Sequence, residues 1–178
     1  GLGDVYKRQS YNSDIGTINI AVSLSALFSG LFIVGAGDIA DKIGRVKVTY
    51  IGLALNIVGS VLIIITPLPS LLIIGRAIQG LSAACIMPAT LAIINEYYIG
   101  TARQRALSYW SIGSWGGSGV CTLFGGLMAT NLGWRSIFIV SIILTILSMF
   151  LIKHTPETKA EPIGCLLYTS DAADEGLG

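Results

Sequence analysis

The chain has 178 residues, 53% of them hydrophobic and only 12% charged, with a formal net charge of +1 and a mean hydropathy of +0.74. Such values exclude an ordinary soluble globule and place the chain in the membrane class. They carry no basic patch for nucleic acid, and the three cysteines (Cys85, Cys121 and Cys165) and the single His154 have no metal-ligand spacing.

The two ends read differently from the middle. Gly1 to Gln9 and Cys165 to Glu175 resemble in-frame translations of the adapters used in short-read library preparation. The domain reading is therefore residues 1–9 and 165–178 as non-native flanks, and residues 10–164 as part of a longer membrane protein. Without Lys7, Arg8, Asp4, Asp171, Asp174 and Glu175, the middle keeps nine basic and six acidic residues, a charge of about +3.

Five apolar spans follow, each close to the roughly 20 residues needed to cross a bilayer core. They run over 17–37, 48–66, 70–94, 107–128 and 136–152. The expected fold class is all-α: a polytopic bundle of membrane helices. Lys42, Arg45, Lys47, Arg103, Arg105, Lys153 and Lys159 fall in connectors on one side and only Arg135 on the other. By the positive-inside rule the first side is cytoplasmic. The first span then starts outside, which predicts an earlier helix upstream.

The connector from Gly37 to Lys47, G-D-I-A-D-K-I-G-R-V-K, reads as a short charged loop between two long apolar runs. Glycines at 37 and 44 allow tight turns and close helix approach, and Asp41 can pair with Lys42 or Arg45 or sit against a helix N-terminus. As a solvated turn it would merely obey the positive-inside rule; as a charged latch it would hold a cytoplasmic gate shut. A fainter copy stands on the opposite face, where Gly126, Ala129, Gly133 and Arg135 follow Gly37, Ala40, Gly44 and Arg45 with one residue inserted. Repeats of inverted topology are the architecture of many secondary transporters.

Arg76 lies about two turns into the third span, where an arginine at bilayer depth costs at least roughly 2.5 kcal/mol unless it meets a polar cavity. Gln79, three residues on, shares its face. The plain alternative is an arginine that snorkels to the outer interface. In the fourth span Gly113, Gly117, Cys121 and Gly125 recur every fourth residue, a small-residue stripe that first of all predicts close helix packing. Trp115, Phe124 and Met128 are candidates for a cavity lining or for bundle core. Pro88 predicts a kink in the third span. Asn56 is polar at membrane depth, to line a cavity or to bond a neighbouring helix. Trp110 and Trp134 read as interfacial anchors.

These stretches resemble the major facilitator superfamily, and within it the bacterial drug:proton antiporters, most closely the fourteen-helix multidrug-efflux branch. The charged connector is similar to the family's signature between helices two and three, met by Gly37, Asp41, Lys42, Gly44 and Arg45, with Val46 where a basic residue is usual. R-A-I-Q-G-L-S-A-A, with Arg76, Gln79 and Gly80, resembles the fourth-helix motif tied to proton coupling. Gly113, Gly117, Gly125 and Gly126 resemble the fifth-helix antiporter motif, in which Cys121-Thr122 replaces the usual Gly-Pro pair. G-W-R-S-I-F, from Gly133 to Phe138, is similar to the start of helix six.

The resemblance implies helices two to six of an N-terminal bundle in a multi-pass cell-membrane transporter, bacterial inner or plasma membrane. It implies proton-coupled export of hydrophobic or cationic small molecules by alternating access. The partners implied are the lipid bilayer, the substrate and protons, and helix one and the C-terminal half of the same protein; nucleic acid and cofactors are not among them. Within the same superfamily a nutrient or organic-anion facilitator stays open, and outside transport a membrane sensor or assembly factor. Nothing in the residues pairs a nucleophile with a base or builds a phosphate loop, so no enzyme is expected.

Overall fold

The computed structural model describes residues 15–65 and 67–159; the predicted foreign flanks lie outside these residues, apart from which the domain boundaries stand as an expectation. The described chain is helical with short joints: α1 (Ile15–Ile43), α2 (Arg45–Ile65), α3 (Pro69–Tyr97), α4 (Thr101–Ser111), a π-helical turn (Ile112–Gly116), α5 (Gly117–Asn131) and α6 (Arg135–Ile152). α1, α2, α3 and α6 are each long and apolar enough to cross a membrane. They correspond to the first, second, third and fifth spans of the sequence.

The fourth span differs from the expected single helix. Its backbone is helical from Thr101 to Asn131, but the π turn interrupts the α ladder and inserts an extra residue into one turn. Three glycines in five residues, Gly113, Gly116 and Gly117, supply little side-chain packing to hold an ideal α turn there.

α3 is the hub, with α1 and α2 laid along it and α6 on the outer side of α2. Close approach of the helix backbones makes this possible. A Cβ on Gly59 would come 2.8 Å from the carbonyl oxygen of Gly75, and one on Gly75 would come 3.0 Å from that of Gly59. A Cβ on Gly80 would collide with the backbone of Ser25 in α1. Where association cannot draw on a hydrophobic driving force, small residues that let backbones touch supply the van der Waals energy. The Ser82 hydroxyl adds a bond to the Gly52 carbonyl at 2.6 Å across the same α2–α3 seam.

Polar side chains lock the remaining contacts. Asn56 Nδ2 donates to Thr145 Oγ1 at 2.7 Å and Ser141 Oγ at 3.2 Å, so its role is to bond α6. Tyr50 donates to the Met149 carbonyl on the same helix pair. Trp110, half-buried, donates its indole N–H to Thr90 Oγ1 at 3.1 Å and ties α4 to α3, where an interfacial anchor was expected. Trp134 sits at the start of α6, edge-on to Phe138 and beneath the Arg135 guanidinium, 4.9 Å from the ring centre.

The two echoing connectors share their backbone as well as their letters. Gly44 has φ +129° and Gly133 has φ +90°, and an arginine follows each at or near the first residue of the next helix, Arg45 of α2 and Arg135 of α6. A left-handed residue without a Cβ ends a helix at little cost.

Candidate functional site: a charged junction and a buried arginine chain

The charged connector is not a loop. α1 continues through Gly37, Asp38, Asp41 and Lys42 to Ile43, and the whole turn is the single residue Gly44. At about 1.5 Å per residue, the 29 residues of α1 span some 44 Å, well beyond an apolar core of about 30 Å. Its charged last turns can therefore stay helical outside the bilayer, where water satisfies the side chains. Gly37, near the point of exit, passes Pro88 of α3 at ordinary contact distance.

One turn of helix then places Asp41 and Arg45 on the same side of the corner. Arg45 Nε donates to Asp41 Oδ1 at 3.0 Å, and Arg45 Nη1 donates to Glu96 Oε2 at 3.3 Å, at the far end of α3. Arg45 is 9% exposed, whereas its two carboxylate partners are open to solvent. A forked guanidinium can hold two carboxylates from two helices at once, which an ammonium cannot do with fixed geometry. Lys42 is exposed at the rim.

The start of α2 needs donors satisfied, because the first N–H groups of a helix have no partner within it. Gly44, at the cap position, has no side chain to help. The segment after α6 supplies the missing acceptors: the Thr158 carbonyl accepts from Arg45 N at 3.0 Å, and the Glu157 carboxylate accepts from Val46 N at 2.8 Å and Lys47 N at 3.0 Å. A Cβ on Gly44 would lie 2.5 Å from the Glu157 carboxyl carbon and would push that carboxylate off its cap, while the φ of +129° itself favours glycine. Tyr97 at the end of α3 donates to the Pro156 carbonyl at 2.9 Å and holds the same segment. The sequence reading missed Glu96, Glu157 and Thr158. No sequence signal singled out Glu157, an acid in the polar P-E-T-K run after the last span.

At the other end of α3, Arg76 and Gln79 meet as their spacing predicted: Arg76 Nη1 donates to Gln79 Oε1 at 3.1 Å. Gln79 Nε2 donates in turn to Ser60 Oγ of α2 at 3.1 Å. Ser60 is fully buried, and no sequence signal singled it out. Gly80, next to Gln79, is the point of contact with α1.

The fourth-span residues are placed differently. Around Gly113, Gly117 and Gly126 there is open space, and a Cβ on Gly125 would meet only Ile137, at 3.9 Å. Cys121 is exposed, and Thr122 donates to the Ser118 carbonyl within its own helix. Among the described residues the stripe therefore has no helix packed along it. Trp115 and Phe124 are exposed on the same segment.

The family model for the Major Facilitator Superfamily matches residues 4–164. The chain belongs to the major facilitator superfamily. It is 71% identical over 154 residues to the quinolone resistance protein NorB of Staphylococcus aureus, as found in strains JH9, Newman and COL. The aligned region takes in 86% of this chain and 33% of each relative, so the chain spans about a third of the length of the curated relatives it matches. The chain is thus a multi-pass membrane segment of a transporter family.

Proposed function

We propose that this chain forms helices two to six of the N-terminal half of a proton-coupled exporter of hydrophobic or cationic compounds, quinolones among them, in a bacterial cell membrane. In this reading the Asp41–Arg45–Glu96 junction, with Gly37, Lys42 and Gly44, is the cytoplasmic latch that holds one access state. Arg76, with Gln79 and Gly80 beside it, is the fixed positive charge of the transmembrane pathway. An arginine keeps its proton at ordinary pH, so it acts by lowering the pKa of a neighbouring carboxylate rather than by carrying a proton. That carboxylate is assigned to a helix beyond the present segment, and the stripe of Gly113, Gly117, Cys121, Thr122, Gly125 and Gly126 to packing against helices also supplied from outside it.

The observation that carries the reading is Arg76 itself, a half-buried charged side chain within an apolar span that is hydrogen-bonded to Gln79 of the same helix. The test uses everted vesicles holding a full-length transporter with this segment, with a quinolone or a cationic dye supplied outside. Accumulation should require an inside-acid gradient, collapse with a protonophore and be lost in Arg76→Ala. Accumulation indifferent to the gradient would refute proton coupling and favour a facilitator; gradient-driven accumulation that survives Arg76→Ala would refute the role of the arginine.

A further inference from the structure

We propose that Ser60 of α2 is a positioning residue for Arg76, acting through Gln79. The inference rests on the role given to Arg76 above and extends it to a second helix.

The argument begins with the amide. A glutamine side chain presents an acceptor at one end and two donors at the other, and the two ends differ by a half-turn. Arginine has only donors, so Gln79 serves Arg76 only with its carbonyl oxygen forward. The NH2 end must then point back into the α2–α3 seam, and there it meets Ser60 Oγ at 3.1 Å. The seam at this level is walled by Gly59, Gly75 and Ile63, with the two glycine backbones almost touching. Ser60 and Ile63 are both essentially inaccessible there.

Ser60 therefore decides which way the amide faces. With its oxygen present, the carbonyl-forward orientation satisfies both ends of Gln79. Without it, that orientation leaves a part-buried N–H without its partner, and the amide turns to find another acceptor. Arg76 then loses its only hydrogen-bond acceptor on the protein among the described residues and swings toward the outer interface, a move its long side chain permits. The backbone contact between Gly59 and Gly75 is what brings the hydroxyl within reach, so the close helix pair serves to orient a charge as well as to pack.

The test is a double-variant cycle in the full-length transporter, reading gradient-driven transport, its pH profile and substrate Kd on the same preparations. Ser60→Ala should lower the transport rate roughly three- to tenfold, as expected for one net hydrogen bond, and displace the pH profile, with substrate Kd within about twofold. Ser60→Thr, which keeps the hydroxyl, should restore both rate and profile. Ser60→Ala added to Gln79→Ala should cost nothing further, since residues acting in series do not add. An unchanged pH profile in Ser60→Ala, or losses that multiply in the double variant, would overturn the inference. If Arg76→Ala transports normally, the failure belongs to the role proposed for the arginine; if Arg76→Ala is inactive while Ser60→Ala matches the parent, it belongs to Ser60 alone.

Discussion

Removing the Glu157 carboxylate is the sharpest available perturbation, because it acts on α2 from 110 residues away in sequence. That carboxylate accepts the N–H groups of Val46 and Lys47 at 2.8 and 3.0 Å, donors that α2 cannot satisfy internally and that capless Gly44 leaves open. Losing a capping acceptor costs about 1 kcal/mol, and losing a negative charge at a helix N-terminus about 0.3–1 kcal/mol more. Glu157 is exposed, so screening trims the charge contribution and the total is about 1–2 kcal/mol. At about 1.4 kcal/mol per decade, Glu157→Ala should raise the local opening of the first turn of α2 roughly five- to thirtyfold. Glu157→Gln keeps one carbonyl acceptor and loses the charge, so it should fall between. Hydrogen exchange of the peptide covering residues 44–50, in the full-length protein in nanodiscs, reads this directly. Exchange within twofold of the parent in Glu157→Ala would refute the capping argument.

Other perturbations separate contacts that carry energy from contacts that only look alike. Asp41→Asn and Glu96→Gln each remove one of two partly solvated partners of Arg45 and should each shift the access equilibrium by less than about 1 kcal/mol, whereas Arg45→Ala, which also strips a buried stem, should exceed either; double electron–electron resonance across the cytoplasmic rim would measure it. Gly59→Ala should sharply reduce the folded yield, because the carbonyl of Gly75 stands 2.8 Å from the new Cβ and a backbone cannot step aside. Gly113→Ala meets nothing within 4 Å inside this segment, so a loss of transport there with normal folding of residues 15–159 would locate its partner outside them. Asn56→Leu removes the bonds to Ser141 and Thr145 and should destabilise the α2–α6 pair by about 0.6–1.7 kcal/mol, read as a lowered midpoint in denaturant titration.

What could be read in the letters and what could not follow a physical division. Apolar length marks spans, and Lys/Arg placement marks sides, because the bilayer acts on each helix separately. Arg45, Glu96 and the segment at Glu157 do gather at one end of the bundle, where the connectors rich in Lys and Arg were assigned. Arg76 and Gln79 were legible as a pair because three residues on a helix make them neighbours. Their third member was not: Ser60 is one of many small residues in an apolar run, and only the Gly59–Gly75 contact between two helices makes it different. The same holds for Glu157. A single turn relates Asp41 to Arg45, but only the packed bundle relates α2 to the chain leaving α6.

The loop at 37–47 failed as a loop for a related reason. Glycines and charges between apolar runs look like a turn when the membrane is taken as the limit of the helix. In fact the helix outlasts the membrane, and the break comes only where the backbone takes the left-handed φ that favours glycine at Gly44. This moves the charged junction from a flexible connector to the rigid ends of α1 and α3. Arg45 begins α2, Asp41 is in the last turns of α1 and Glu96 in the last turn of α3, so the three charges report the relative position of three helices, two of which, α2 and α3, also form the glycine-lined seam beside Gln79. A displacement of α3 along that seam would strain both ends together: the Arg45–Glu96 bond at the cytoplasmic rim and the Gln79–Ser60 bond on the opposite half of the helix. The two polar clusters are thus linked through one stiff element, and a substitution that loosens the seam, such as Gly75→Ala, should disturb latch and arginine alike.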